Sequence, residues 1–141
     1  MNTLWKTLSW IIVITFFLLT VLLSFWSFYP YKLIVFNNLP LKVLNKTVKA
    51  GEVLVYSTDY CKFTNIIPEV KKTFVNDIIY SIPTGTVLAK EKGCRIINVQ
   101  IDVPKNLPPS RYILKITYEY QVNPIRKVNI YVQTELFEVI K

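Results

Sequence analysis

The chain has 141 residues, 17 Lys and Arg against 9 Asp and Glu, a net charge of +8, and no histidine. The missing imidazole removes the commonest general base, the commonest zinc ligand and every Ser-His or Cys-His catalytic pairing. Its three glycines, Gly51, Gly85 and Gly93, are too far apart to build a phosphate-cradling loop of the GxxxxGK[ST] or GxGxxG kind.

Residues 1–7 form a short N-terminal segment carrying Lys6, after which Leu8 to Tyr29 contains no charge and ends just before Lys32. As a helix this run is about 33 Å long, enough to cross a hydrocarbon core of about 30 Å. Its polar residues, among them Thr15, Thr20, Ser24 and Ser27, can return their hydroxyls to a carbonyl one turn back. All three tryptophans lie at its ends: Trp5 and Trp10 at one, Trp26 at the other, joined there by Phe28, Tyr29 and Tyr31. Aromatic belts flanked by Lys6 and Lys32 are the mark of the two membrane interfaces. A cleaved signal peptide has an apolar region of about 7–15 residues ending at small residues. The residues near the end of this longer run, Phe25, Trp26 and Ser27, fit that poorly. The lipid bilayer is therefore the first expected partner, and Trp5, Lys6, Trp10, Trp26, Tyr29, Tyr31 and Lys32 are the expected interface anchors.

Residues 33–141 have the length of one domain. They hold all nine acidic residues and all but Lys6 and Lys32 of the basic ones, leaving a net charge of about +6. The lysines are scattered and not clustered with exposed aromatics, so nucleic acid is not an expected partner. The carboxylates are dispersed as well, and no spacing among them suggests a general acid–base pair. The chain is expected not to be an enzyme, and neither a cofactor, a metal nor a small-molecule substrate is indicated.

Past Lys32, short runs of period-two alternation are separated by Pro, Gly or Asn. Leu33 to Asn45 is expected to give one or two strands, Val53 to Ser57 another, and Thr73 to Ile82 a further one, with Glu69 to Asp77 alternatively a helical turn. Arg95 to Val103 alternates with Ile97, Val99, Ile101 and Val103 on one face. Arg111 to Val122 does so with Tyr112, Leu114, Ile116, Tyr118, Tyr120 and Val122. Lys127 to Gln133 follows after the turn Asn123-Pro124-Ile125-Arg126, giving a hairpin. A phase change at Leu136-Phe137-Glu138-Val139 predicts a bulge or bend after Thr134. Pro40, Pro68, Pro83, Pro104, Pro108 and Pro124 fall in or beside connections. The sum is a mainly β chain: an N-terminal transmembrane α-helix, then an immunoglobulin-like antiparallel β-sandwich of about seven strands. The lead-in Leu107-Pro108-Pro109-Ser110-Arg111-Tyr112 suits a sandwich corner in which a tyrosine hydroxyl bonds back to the preceding loop; Tyr112 as a plain core aromatic is the other reading.

Cys61 and Cys94 are either two buried thiols or one disulfide. Their polar flanks, Tyr60 and Lys62, Gly93 and Arg95, favour strand ends near the surface and hence the bridge. A bridge implies an oxidising compartment. The charges flanking the apolar run do not settle direction, so the cysteines decide it: the N-terminus is expected in the cytoplasm and the β domain outside, periplasmic or external.

Asp59-Tyr60-Cys61-Lys62, Lys92-Gly93-Cys94, Leu107-Pro108-Pro109, Tyr118 through Arg126 and Thr134-Glu135-Leu136-Phe137 resemble stretches of uncharacterised single-pass membrane proteins of bacteriophages and bacteria. The resemblance implies a phage or bacterial setting and supplies no catalytic residues. The expected function is a non-enzymatic membrane-anchored module, a structural or protein-interaction subunit at the membrane surface. Its expected partner contact is Asn123, Pro124, Arg126, Lys127 and the outward Tyr131. The alternative is an accessory subunit of a larger membrane complex whose helix makes the key contacts; having no glycine, that helix lacks a GxxxG face. Asn45-Lys46-Thr47 is a glycosylation acceptor only in a eukaryotic secretory setting.

Overall fold

The computed structural model describes residues 2–82 and 91–141. Pro83 and Gly85, placed above in a connection and among the glycines, lie outside the described residues. The chain divides into two compact units. One joins residues 1–31 to Val122–Arg126; the other holds residues 32–121 and 127–141.

The first unit is built on α1, Asn2–Phe28. It starts six residues before the apolar run, because nothing between Asn2 and Thr7 breaks a helix. Thr7, Thr15 and Thr20 donate their hydroxyls to the carbonyls of Leu4, Ile11 and Phe16 at 2.8–2.9 Å, satisfying the polar side chains within the helix itself.

The second unit is a two-sheet β-sandwich. The strands are β1 Ile34–Phe36, β2 Lys42–Val43, β3 Thr47–Lys49, β4 Val53–Lys62, β5 Glu69–Val75, β6 Ile79–Ile82, β7 Gly93–Asp102, β8 Ser110–Asn123, β9 Arg126–Gln133 and β10 Phe137–Ile140, with Val122, Asn123 and Arg126 at the strand ends counted in the first unit. The count is ten, not about seven, because several runs are interrupted. Thr73 to Ile82 is two strands: the Asn76 carboxamide accepts from the Ile78 amide at 2.9 Å and turns the chain between β5 and β6. Glu69 to Asp77 is not helical; it is β5 up to Val75, with Val70, Lys72 and Phe74 alternating inward. After Thr134 the chain breaks and restarts as β10, as the phase change predicts, with Phe137 and Val139 buried and Leu136 exposed.

In one sheet β4 pairs with β7 on one side and with the short β1 and β2 on the other. In the second, β8 pairs with β5, β9 and β10. The arrangement is not wholly antiparallel: β10 runs parallel to β3, with Val139 opposite Val48. At the β3–β4 turn Gly51 takes φ +91, a left-handed conformation that favours glycine.

Alternation fills the space between the sheets. From β4 come Leu54, Tyr56, Thr58, Tyr60 and Lys62; from β8 come Tyr112, Leu114, Ile116, Tyr118 and Tyr120, all buried. Phe36 packs across on Tyr118 with ring centroids 5.4 Å apart. The Tyr112 hydroxyl donates to the Pro108 carbonyl at 2.9 Å, so the proline-rich lead-in is a true corner. Among the described residues the buried hydroxyls of Tyr56, Thr58 and Tyr120 have no hydrogen-bond partner. Burial pushes the Tyr56 and Tyr118 hydroxyls well up, and that of Tyr120 up to about 12.

Candidate functional site

The residues expected from the sequence to make contacts lie on the β8–β9 hairpin and on and just beyond α1. A helix leaves its last carbonyls without intrahelical partners. Here the hairpin tip supplies donors to them. The Asn123 carboxamide donates to the Trp26 carbonyl at 2.8 Å and to the Tyr31 hydroxyl at 3.3 Å. Arg126 Nη1 donates to the carbonyls of Ser27 at 2.9 Å and Tyr29 at 2.8 Å. A cation at a helix C-terminus also complements the helix dipole. The guanidinium carbon lies 5.9 Å from the Tyr31 ring centre. Phe25, Tyr29 and Tyr31 pack in series at centroid spacings of 4.9 Å, the first pair tilted and the second edge-on. The tip itself has Pro124 and Ile125 at its centre, and the Ile125 amide donates to the Asn123 carboxamide oxygen at 3.1 Å. Of the expected contact residues, then, Asn123 and Arg126 engage the end of α1, while Pro124 sits at the turn.

Lys127 and Tyr131 belong to the other unit, on the outer face of the sheet. Glu119 of β8 is the hub of that face: Lys127 bonds its carboxylate from one side, and Lys71 of β5 does so at 3.0 Å from the other. These two ammonium groups hold the Glu119 carboxyl below its ordinary value, and Glu119 in turn raises Lys71. Tyr131 is 70% exposed. It walls a groove of about 660 Å³ with Leu39, Pro40, Lys115, Thr117 and Gln133. Among the described residues no strand pairs with β9 on the side away from β8 before Thr134, where Leu41 forms a parallel bridge. Over most of its length β9 is therefore an open edge.

The anchors expected from sequence fall on α1 and just beyond it. Trp5 and Trp10 are exposed near its start, and Trp26 is half-buried near its end. Lys32 leaves the helix and lies 4.1 Å from the Phe63 ring centre. Cys61 and Cys94 form a disulfide between directly opposed positions of β4 and β7. Cys94 is exposed, as the surface reading requires. The flanks of Cys61 differ from expectation: Tyr60 and Lys62 both point inward and are buried, because they share the face of Leu54 and Tyr56 at period two.

Sequence reasoning missed three residues. Lys62, expected near the surface as a flank of Cys61, and Lys72, which no motif singles out, occupy inward positions, where burial lowers both ammonium groups. Their positions within the alternation were the available signal. Asn45, read only as a glycosylation triplet, clamps β4 with both amide atoms: it donates to the Val53 carbonyl at 2.8 Å and accepts from the Val55 amide at 2.7 Å. Among the described residues no group of three or more Cys, Asp or Glu is arranged to hold a metal.

No family model matches the chain, and no curated protein does. A solved structure of the CARDB domain of the PF1109 protein from Pyrococcus furiosus, in complex with di-metal ions, is similar to it at 15% identity and a TM-score of 0.38. The similarity covers 79% of this chain and 95% of that one.

Proposed function

We propose that this chain is a non-enzymatic, single-pass membrane-anchored β-sandwich module, a structural or protein-interaction subunit whose C-terminal domain works at the outer membrane surface. The observation that carries the reading is the exposure of α1. Apart from the half-buried Trp26, its large apolar side chains from Leu4 to Phe28 are 41–83% exposed, over a helix long and apolar enough to cross a membrane by length and composition. Such a surface is stable where it meets hydrocarbon and not water. The Cys61–Cys94 disulfide supports an oxidising compartment for the β domain.

The surface best suited to a protein partner is the open edge of β9 with Tyr131 and Lys127. An extended segment can add to such an edge through main-chain hydrogen bonds, and an exposed tyrosine supplies an anchor beside it. Asn123 and Arg126 are engaged with helix carbonyls, so the edge carries the contact more readily than the tip.

Mild-detergent purification at native expression, with identification of what co-purifies, tests this reading. Partners should persist when residues 8–29 are replaced by an unrelated span and fall several-fold with Tyr131→Ala. The opposite pattern would support contacts made by the helix. Hydrolytic turnover by the purified chain would overturn the non-enzymatic reading.

A further inference from the structure

Turns favour Gly, Pro, Asn, Asp and Ser. At the β8–β9 tip Pro124 fits that pattern, but beside it stands the apolar Ile125, 55% exposed. In the same compact unit the end of α1 presents Phe28, 83% exposed, and Tyr29, 44% exposed. The tip is tied to that end by hydrogen bonds to the carbonyls of Trp26, Ser27 and Tyr29. Aromatic residues at the end of a span mark the depth of the lipid head groups. A tip bonded to their own carbonyls lies at that same depth.

We propose that Pro124–Arg126 is a second membrane-contact element, with Ile125 entering the boundary between head groups and acyl chains and Arg126 meeting a phospholipid phosphate. This rests on the reading of α1 as a membrane span. An apolar residue next to a cation is the pairing that interfacial segments use. Arg126 commits Nη1 to the two carbonyls; among the described residues no hydrogen bond uses its Nε or Nη2. Those two donors form one edge of the guanidinium fork and match two phosphate oxygens. Anionic lipid strengthens the attraction without changing the geometry.

The test places a nitroxide at Ile125→Cys in the full chain, in phosphatidylcholine nanodiscs with and without phosphatidylglycerol, keeping the native disulfide oxidised. Ile125 is an exposed turn residue, so the label leaves the core intact. Labels at Phe28→Cys, Leu18→Cys and Asn106→Cys calibrate the end of α1, its middle and the exposed surface of the β domain. The ratio of oxygen to water-soluble nickel accessibility at position 125 should match that at 28 and exceed that at 106 several-fold. A ratio at 125 equal to that at 106, with 18 still shielded from nickel, would refute the tip contact alone and leave the tip free for water or a protein. Nickel access at 18 would refute the span and the tip contact with it. Arg126→Gln should lower the ratio at 125 and remove its dependence on phosphatidylglycerol; an unchanged ratio would delete the phosphate contact.

Discussion

Helix α1 and strand β8 share Leu, Ile, Val and Thr, each adds aromatic rings of its own, and they dispose of them in opposite ways. In β8 the period of two sends Tyr112, Leu114, Ile116, Tyr118 and Tyr120 to one buried face and leaves Arg111, Lys115 and Gln121 on the other. In α1 apolar residues occur on every face, and none finds cover within the chain's described residues beyond the half-buried Trp26. A strand with alternation carries half of its own solution to burial, and the second sheet supplies the rest. A helix apolar all round carries none, and its cover has to come from outside the chain.

The largest effect should separate the two directly. Leu114→Ala should cost the β domain about 3–5 kcal/mol, since the side chain is fully buried and a cavity remains. Leu18→Ala on α1 should leave the same transition within about 0.5 kcal/mol. Denaturant unfolding of the full chain in detergent, followed by tyrosine fluorescence, measures both; equal losses would erase the distinction. Next in size is the bridge. Cys61 and Cys94 are 33 residues apart, and their replacement by Ala together should destabilise the β domain by about 4 kcal/mol on chain-entropy grounds. No change in midpoint would mean the paired β4 and β7 already restrict the unfolded chain as much as the bridge does.

The tyrosine core gives a pH limb that α1 lacks. A hydroxyl whose folded value is raised favours the protonated folded state, so its stabilisation is complete below about 10, the ordinary tyrosine value. It is then lost as pH rises toward about 12, where Tyr120 titrates in the fold. The tyrosinate absorbance step should coincide with unfolding of the β domain while α1 stays helical by circular dichroism. The smallest effect is on the outer face. Glu119, lowered by Lys127 and Lys71, stabilises the fold above its ordinary value near 4.3. That contribution disappears as pH falls through the lowered folded value. Glu119→Gln should flatten this acid limb, read from melting temperatures between pH 6 and 3.

Much of this contrast was legible in the amino-acid order. The 14-residue β8 shows its alternation without interruption, and the proline pair before Tyr112 announced its corner. The break after Thr134 showed as a change of phase. What escaped was either too short or too remote. Three-residue β3 has no visible period, and its parallel partner β10 lies far along the chain. Lys62 and Lys72 carry charges that suit a surface, whereas the period of two they share with Tyr60 and Phe74 obliges them to face inward. The hairpin tip could be seen as a turn, but only the fold shows its side chains reaching the carbonyls at the end of α1.

The most direct test of the central claim is the intact mass of the chain recovered from isolated membranes after alkaline carbonate extraction. A membrane-retained species that still contains residues 8–29, with the cysteines oxidised, is the expected result. A carbonate-soluble chain that has lost that segment would contradict it and make α1 a cleaved leader.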